Sequence, residues 1–181
     1  GVIHFNNETI SATYAGVSMT LIIGSPKAEG VGEWISSFVL ANPASGANDV
    51  VVTVLTTNDI YSRAASYTGC NQTGQPDAQN TNSDTGTDLS VSVTTTVDNC
   101  WLVGLFRGRA NLTAGTNTTL RNDVSSFMIG DTNAAQTPTG TYSVNATQTS
   151  NAWGVIGISI DPVGAAADLV YVGEGSLVPP M

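Results

Sequence analysis

Short runs of β-branched and aromatic residues alternate with Gly, Pro, Asn and Asp along the whole chain, a spacing that predicts strands joined by turns. Residues 10–14 and 17–23 flank Ala15-Gly16 as a hairpin, and Gly24-Ser25-Pro26 ends the second run. Residues 33–40 place apolar groups on both faces, which predicts a central strand. Residues 42–46 read as a turn, because Pro43 fixes φ and Gly46 admits positive values. Residues 49–55 are the clearest strand, and 64–70 form a shorter one.

Residues 71–88 contain almost no apolar side chain and read as a long polar loop. Residues 89–97 then alternate cleanly, with Leu89, Val91 and Val93 on one face. Asp98-Asn99 turns the chain into a buried strand at 100–106, and 108–122 is a second polar stretch. Residues 126–130, 142–147 and 153–160 complete the core set. No window holds a helical apolar period over three turns, and 165–168 offer one turn at most. About ten strands with turns every 8–12 residues predict an all-β, two-sheet antiparallel β-sandwich or jelly roll. One domain is expected over residues 1–172, with an irregular tail at 173–181.

Composition sharpens this picture. The chain has 181 residues, of which 10% are charged, against about 25% in an average soluble protein. Helices that expose a wet face need Glu, Lys and Arg, so the scarcity of charge also favours strands. Five basic and 14 acidic residues give a net charge of −9, which repels nucleic acid and anionic membranes. No stretch is long and apolar enough to insert in a membrane as a helix. The residues at the start lack the basic n-region and the small-residue cleavage site of an intact signal peptide.

Chemistry is sparse. His4 is the single histidine, which excludes a multi-histidine zinc site and leaves any Ser-His-Asp triad dependent on it. No Gly-x-Ser-x-Gly elbow and no P-loop occur, and the carboxylates form no preferred pair, so no catalytic residue is assigned. Asn80, Asn82, Asp84 and Asp88 place oxygen ligands at a spacing similar to a calcium loop. Gly86 lies one place later than an EF-hand requires and no bidentate Glu follows, so the alternative is a solvated loop of Asx-turns. Calcium is the one cofactor this pattern admits. Trp34, Trp101 and Trp153 lie in apolar strands and read as core. Tyr61, with Asn58 and Asp59, reads as an exposed patch able to contact a glycan. Cys70 and Cys100 are either buried thiols or one disulfide, which fits the lysine-poor, Thr/Asn/Gly-rich composition of secreted proteins. Such a bridge would stabilise by roughly 3–4 kcal/mol.

Four stretches carry a resemblance: Tyr14-Ala-Gly-Val-Ser-Met-Thr20, Leu40-Ala-Asn-Pro-Ala-Ser-Gly46, Tyr67-Thr-Gly-Cys-Asn-Gln-Thr73 and Ala152-Trp-Gly-Val-Ile-Gly157. Together they resemble uncharacterised phage and bacterial surface proteins with a concanavalin-like, laminin-G-like β-sandwich. The resemblance implies that fold and a virion or extracellular surface setting. It also implies an additional first strand, here reduced to residues 1–5 or missing, so that a neighbouring chain would supply it. Small apolar residues usual at positions 70 and 100 are both Cys here, which adds weight to the disulfide. The expected function is therefore a non-catalytic structural module that assembles with itself or with neighbouring structural chains, such as a phage decoration, fibre or appendage subunit. The rival expectation is a lectin-like carbohydrate-binding module that contacts surface glycans with or without calcium.

Overall fold

Regular alternation in some segments and continuous apolar runs in others build two kinds of strand. The structure is a computed structural model that describes residues 1–30, 32–56, 59–121, 125–164 and 170–175. Its first strands are β1 (Val2–His4), β2 (Ser11–Tyr14), β3 (Val17–Ser18), β4 (Thr20–Leu21), β5 (Lys27–Ala28), β6 (Trp34–Ser36), β7 (Phe38–Val39) and β8 (Val50–Thr53). Then come β9 (Tyr61–Ser62), β10 (Ala64–Thr68), β11 (Ala78–Thr94), β12 (Trp101–Arg107), β13 (Thr113–Ala114), β14 (Thr119–Leu120), β15 (Phe127–Asp131), β16 (Thr141–Ile160) and β17 (Val170–Gly175). The described residues contain no helix, and every strand pairing among them is antiparallel.

The central sheet runs β11-β16-β12-β15-β14, with β13 also paired to β16. β11 and β16 form a long ribbon, paired from Ala78↔Ser159 to Thr94↔Thr141 with a register shift between Gly86 and Asp88. The ribbon folds over at that shift. Asn80 Nδ2 donates to the Ser92 carbonyl at 2.8 Å, and Asn82 Nδ2 to the Ser90 carbonyl at 2.9 Å, which ties the two arms of β11 together. The distal arm lies on one face of the central sheet, where Leu89, Val91, Val93, Val144 and Ala146 pack with Leu102, Phe106, Met128, Trp153 and Val155. Two paired glycines allow this approach. A Cβ on Gly157 would stand 2.6 Å from Val91 Cγ1, and one on Gly104 would stand 2.7 Å from the Phe106 ring.

The opposite face carries Trp101, Val103, Leu105, Phe127, Ile129, Ile156, Ile158 and Ile160, packed with Ile3 of β1, Ile35 of β6 and Ile22, just after β4. Both faces of β12 are thus covered, which explains its unbroken apolar run. The N-terminal strands form smaller sheets, β5-β6-β1-β9, β3-β2-β8 and β4-β7, around a minor cluster of Val2, Ile10, Ala12 and Val52. An ion network joins this part to the end of β12. Arg109 pairs with Glu29 at 2.6 Å and Glu33 at 3.1 Å, and Arg107 pairs with Glu33 at 2.6 Å.

The all-β expectation holds, and several finer readings change. Residues 78–88, expected in a polar loop, are strand, because β16 supplies a full hydrogen-bond ladder to side chains with little strand preference of their own. The two expected strands at 142–147 and 153–160 are one strand of 20 residues. The expected strand at 49–55 contracts to four residues at a sheet edge. Residues 1–5 contribute β1, a fully buried strand between β6 and β9, so the N-terminal strand is in place within the chain. β17 continues to Gly175, three residues into the expected tail, and pairs with β10. Residues 165–168 and 176–181 lie outside the described set.

Candidate functional site

Strand geometry reassigns most of the residues singled out from sequence. Asn80, Asn82, Asp84 and Asp88 lie on β11. Alternate residues of a strand are about 6.6–6.8 Å apart, whereas oxygens sharing one calcium ion each lie within about 2.6 Å of it. The extended backbone therefore does not gather these four side chains about one cation. Asn80 and Asn82 spend their amide donors on the opposing arm, and Asp84 Oδ1 accepts from the Thr85 N–H at 2.7 Å.

Both cysteines are free thiols, and the register explains why they do not bridge. Cys70 pairs across from Pro162, while the β12 register places Cys100 beside Asp161. The strand end at 161–162 thus separates them, and adjacent residues of that strand face opposite ways. Cys70 packs on the cluster around Ile160, whereas the Cys100 thiol lies against Asp77, the Val97 carbonyl and Asp161. A disulfide needs Cα atoms less than about 7 Å apart and converging side chains.

The Cys100 thiol sits within a cluster that sequence reading missed. Asp77, Cys100 and Asp161 bring their ligand atoms within 4.8 Å of one another, although they are far apart in the chain. Burial, then the charges of Asp77 and Asp161, push the Cys100 thiol up to about 12, and burial pushes Cys70 up to about 11. Burial also acts to raise Asp77, but hydrogen bonds from Thr96 and Ser159 outweigh it and hold this carboxyl below its ordinary value. Asp161 is raised by burial and by the Asp77 charge. Asp77 accepts from the Thr96 N–H at 2.9 Å, the Thr96 hydroxyl and the Ser159 hydroxyl at 2.8 Å. The carboxylate is saturated by the protein, and a thiol that stays protonated is a poor nucleophile.

His4 is fully buried, with Nδ1 2.7 Å from the Asn6 carbonyl and Nε2 3.0 Å from the Ser36 hydroxyl. Trp101 and Trp153 are core residues as expected, and Trp34 is half-buried. Tyr61 is 56% exposed and Asp59 is exposed beside it, while Asn58 lies outside the described residues.

Two further features occupy the N-terminal part. The first is the edge strand β8, last in the order β3-β2-β8, whose residues Val50, Val51, Val52 and Thr53 carry no charge. Val51 is 44% exposed there. The second is a half-open cavity of about 240 Å³ between the N-terminal strands and the central sheet. Its floor comes from Val103, Ile129, Ile156 and Ile158, and its walls include Phe38 and Arg63. The alternating isoleucines of 156–160 and the isolated Arg63 were the available sequence signals for it.

No protein-family model, no curated protein and no solved structure matches this chain.

Proposed function

We propose that this chain is a non-catalytic structural module that assembles with copies of itself or with neighbouring chains on a virion or extracellular surface, as a phage decoration, fibre or appendage subunit. The observation that carries the reading is β8. An uncharged, valine-rich strand ends its sheet among the described residues with no Pro, Lys or bulge to blunt it. Such an edge is a template for another strand, and β-augmentation gives affinity through main-chain bonds. The antiparallel sheets and folded ribbon support a jelly-roll, concanavalin-like sandwich. The low charge supports life in a crowded, repetitive surface. The absence of reaction chemistry in the proposal is supported by a buried, hydrogen-bonded His4 and by two thiols held protonated.

Size-exclusion chromatography with light scattering tests this. Wild-type chain should form defined multimers, and Val51→Lys should return it to a monomer with unchanged near-ultraviolet circular dichroism. A strict monomer at high concentration would overturn the assembly reading. Exposed Tyr61 beside Asp59 favours one second reading, a glycan-binding module. Silence on a glycan array, with and without calcium, would remove it.

A further inference from the structure

The cavity beneath the N-terminal strands has an unusual charge environment. Thirty described residues line it, and Arg63 is the one charged side chain among them. None of these described residues is acidic, although the chain carries 14 acidic side chains. Three of the other cations are committed elsewhere, since Arg107 and Arg109 pair with Glu33 and Glu29, and Arg121 pairs with Asp131 at 2.7 Å. Arg63 is half-buried and has no carboxylate partner among the described residues, its Nε donating to the Phe127 carbonyl at a long 3.5 Å. It sits between β9 and β10, two and four residues before Ala65 and Tyr67, which both pack on the central core.

A half-buried guanidinium beside an apolar hollow matches an amphipathic anion. We infer that this cavity binds a small carboxylic acid whose apolar body fills the hollow and whose carboxylate pairs with Arg63. The size follows from volume. An apolar cavity of about 150 Å³ holds benzene, so 240 Å³ corresponds by proportion to a ligand of roughly ten heavy atoms. The ligand class is then a medium-chain or aromatic monocarboxylate. Burying its body against Val103, Ile129, Ile156 and Ile158 supplies the apolar gain. A guanidinium binds a carboxylate through paired N–H donors, a geometry an ammonium lacks. The chain's negative field disfavours anions in general, so binding here would report the local cation and the shaped hollow together. This inference is independent of strand-edge assembly, because assembly uses the free main chain of β8, whereas Val50 and Val52 of that strand line the cavity.

The test is a titration of the full chain with octanoate, octanol and acetate, followed by methyl NMR and calorimetry. Octanoate should bind saturably, shifting the methyls of Val103, Ile129 and Ile158. Octanol should bind at least about tenfold more weakly, since it forfeits the charge-assisted bonds, and acetate should not saturate. Arg63→Gln should bring octanoate to the level of octanol, while Arg63→Lys keeps part of the preference. Thermal unfolding of each variant confirms that it folds. Equal affinity of the wild type for octanoate and octanol, or no saturable octanoate binding, would overturn the assignment without recourse to any variant. Unchanged octanoate affinity in folded Arg63→Gln would overturn it as well.

Discussion

The part of the chain after residue 77 and the part before it both build antiparallel strands, but they bury them by different means. The later part has strands of 17 and 20 residues, folded so that one ribbon supplies both a central sheet and its cover. Nine consecutive residues, 152–160, are buried there. The earlier part has strands of two to five residues, and its own cluster contains four fully buried residues. Val17, Ile23, Val51 and Leu55 stay exposed in it. Long strands pack into a rigid platform with no room to spare. Short ones leave an edge and a hollow, and both proposed interactions fall on that side. Binding features sit where packing is least complete, held by a scaffold that is not.

That contrast can be broken in order of expected effect. Phe106→Ala should cost about 3–5 kcal/mol in urea unfolding, because Phe106 is fully enclosed between ribbon arm and sheet. Val52→Ala in the minor cluster should cost less than half of that; equal costs would abolish the distinction. Glu29→Ala should cost about 3 kcal/mol, since it removes a buried partner of Arg109 and loosens the tie between the two parts. Gly157→Ala should cost about 1–3 kcal/mol by forcing Val91 outward, and its crystal structure should show the distal arm displaced.

The next effect is smaller and depends on pH. Burial holds His4 below its ordinary value, against the opposing influence of the Asn6 carbonyl and Glu8. The folded chain therefore keeps His4 neutral at a pH where the unfolded chain protonates it. The stabilisation is complete above about pH 6.5 and is lost as pH falls through the folded-state value, with a slope of at most about 1.4 kcal/mol per unit. His4→Gln should flatten that part of the stability profile; an unchanged profile would assign the slope to carboxylates. The smallest expected effect is that of a reductant. Dithiothreitol should leave the thermal midpoint unchanged, and Cys100 should resist alkylation at neutral pH until the chain unfolds.

The candidate features were legible to very different degrees. The exposure of Tyr61 and the burial of Trp101 and Trp153 followed from their flanking residues. Arg63 was visible as an isolated cation, but its meaning depends on which carboxylates lie near it, and none of the neighbours in the cavity is close in sequence except those of β10. The cluster of Cys100 with Asp77 and Asp161 was illegible for the same reason. Its members come from the start of β11, the start of β12 and the end of β16.

By itself the sequence determined that this is an all-β chain with many turns, that 101–106 is buried on both faces, and that 89–93 presents one apolar face. These properties follow from local residue order, through side-chain alternation and the φ preferences of Gly, Pro and Asn. Tertiary structure alone decided that the polar stretch 78–88 is strand, that the ribbon folds at Gly86, and that Cys70 and Cys100 are set against different partners, Pro162 and Gln136. It also decided that an arginine meets a hollow with no carboxylate among its described lining residues. Pairing energy, register and the company a charge keeps are set by residues distant in the chain, and no local pattern encodes them.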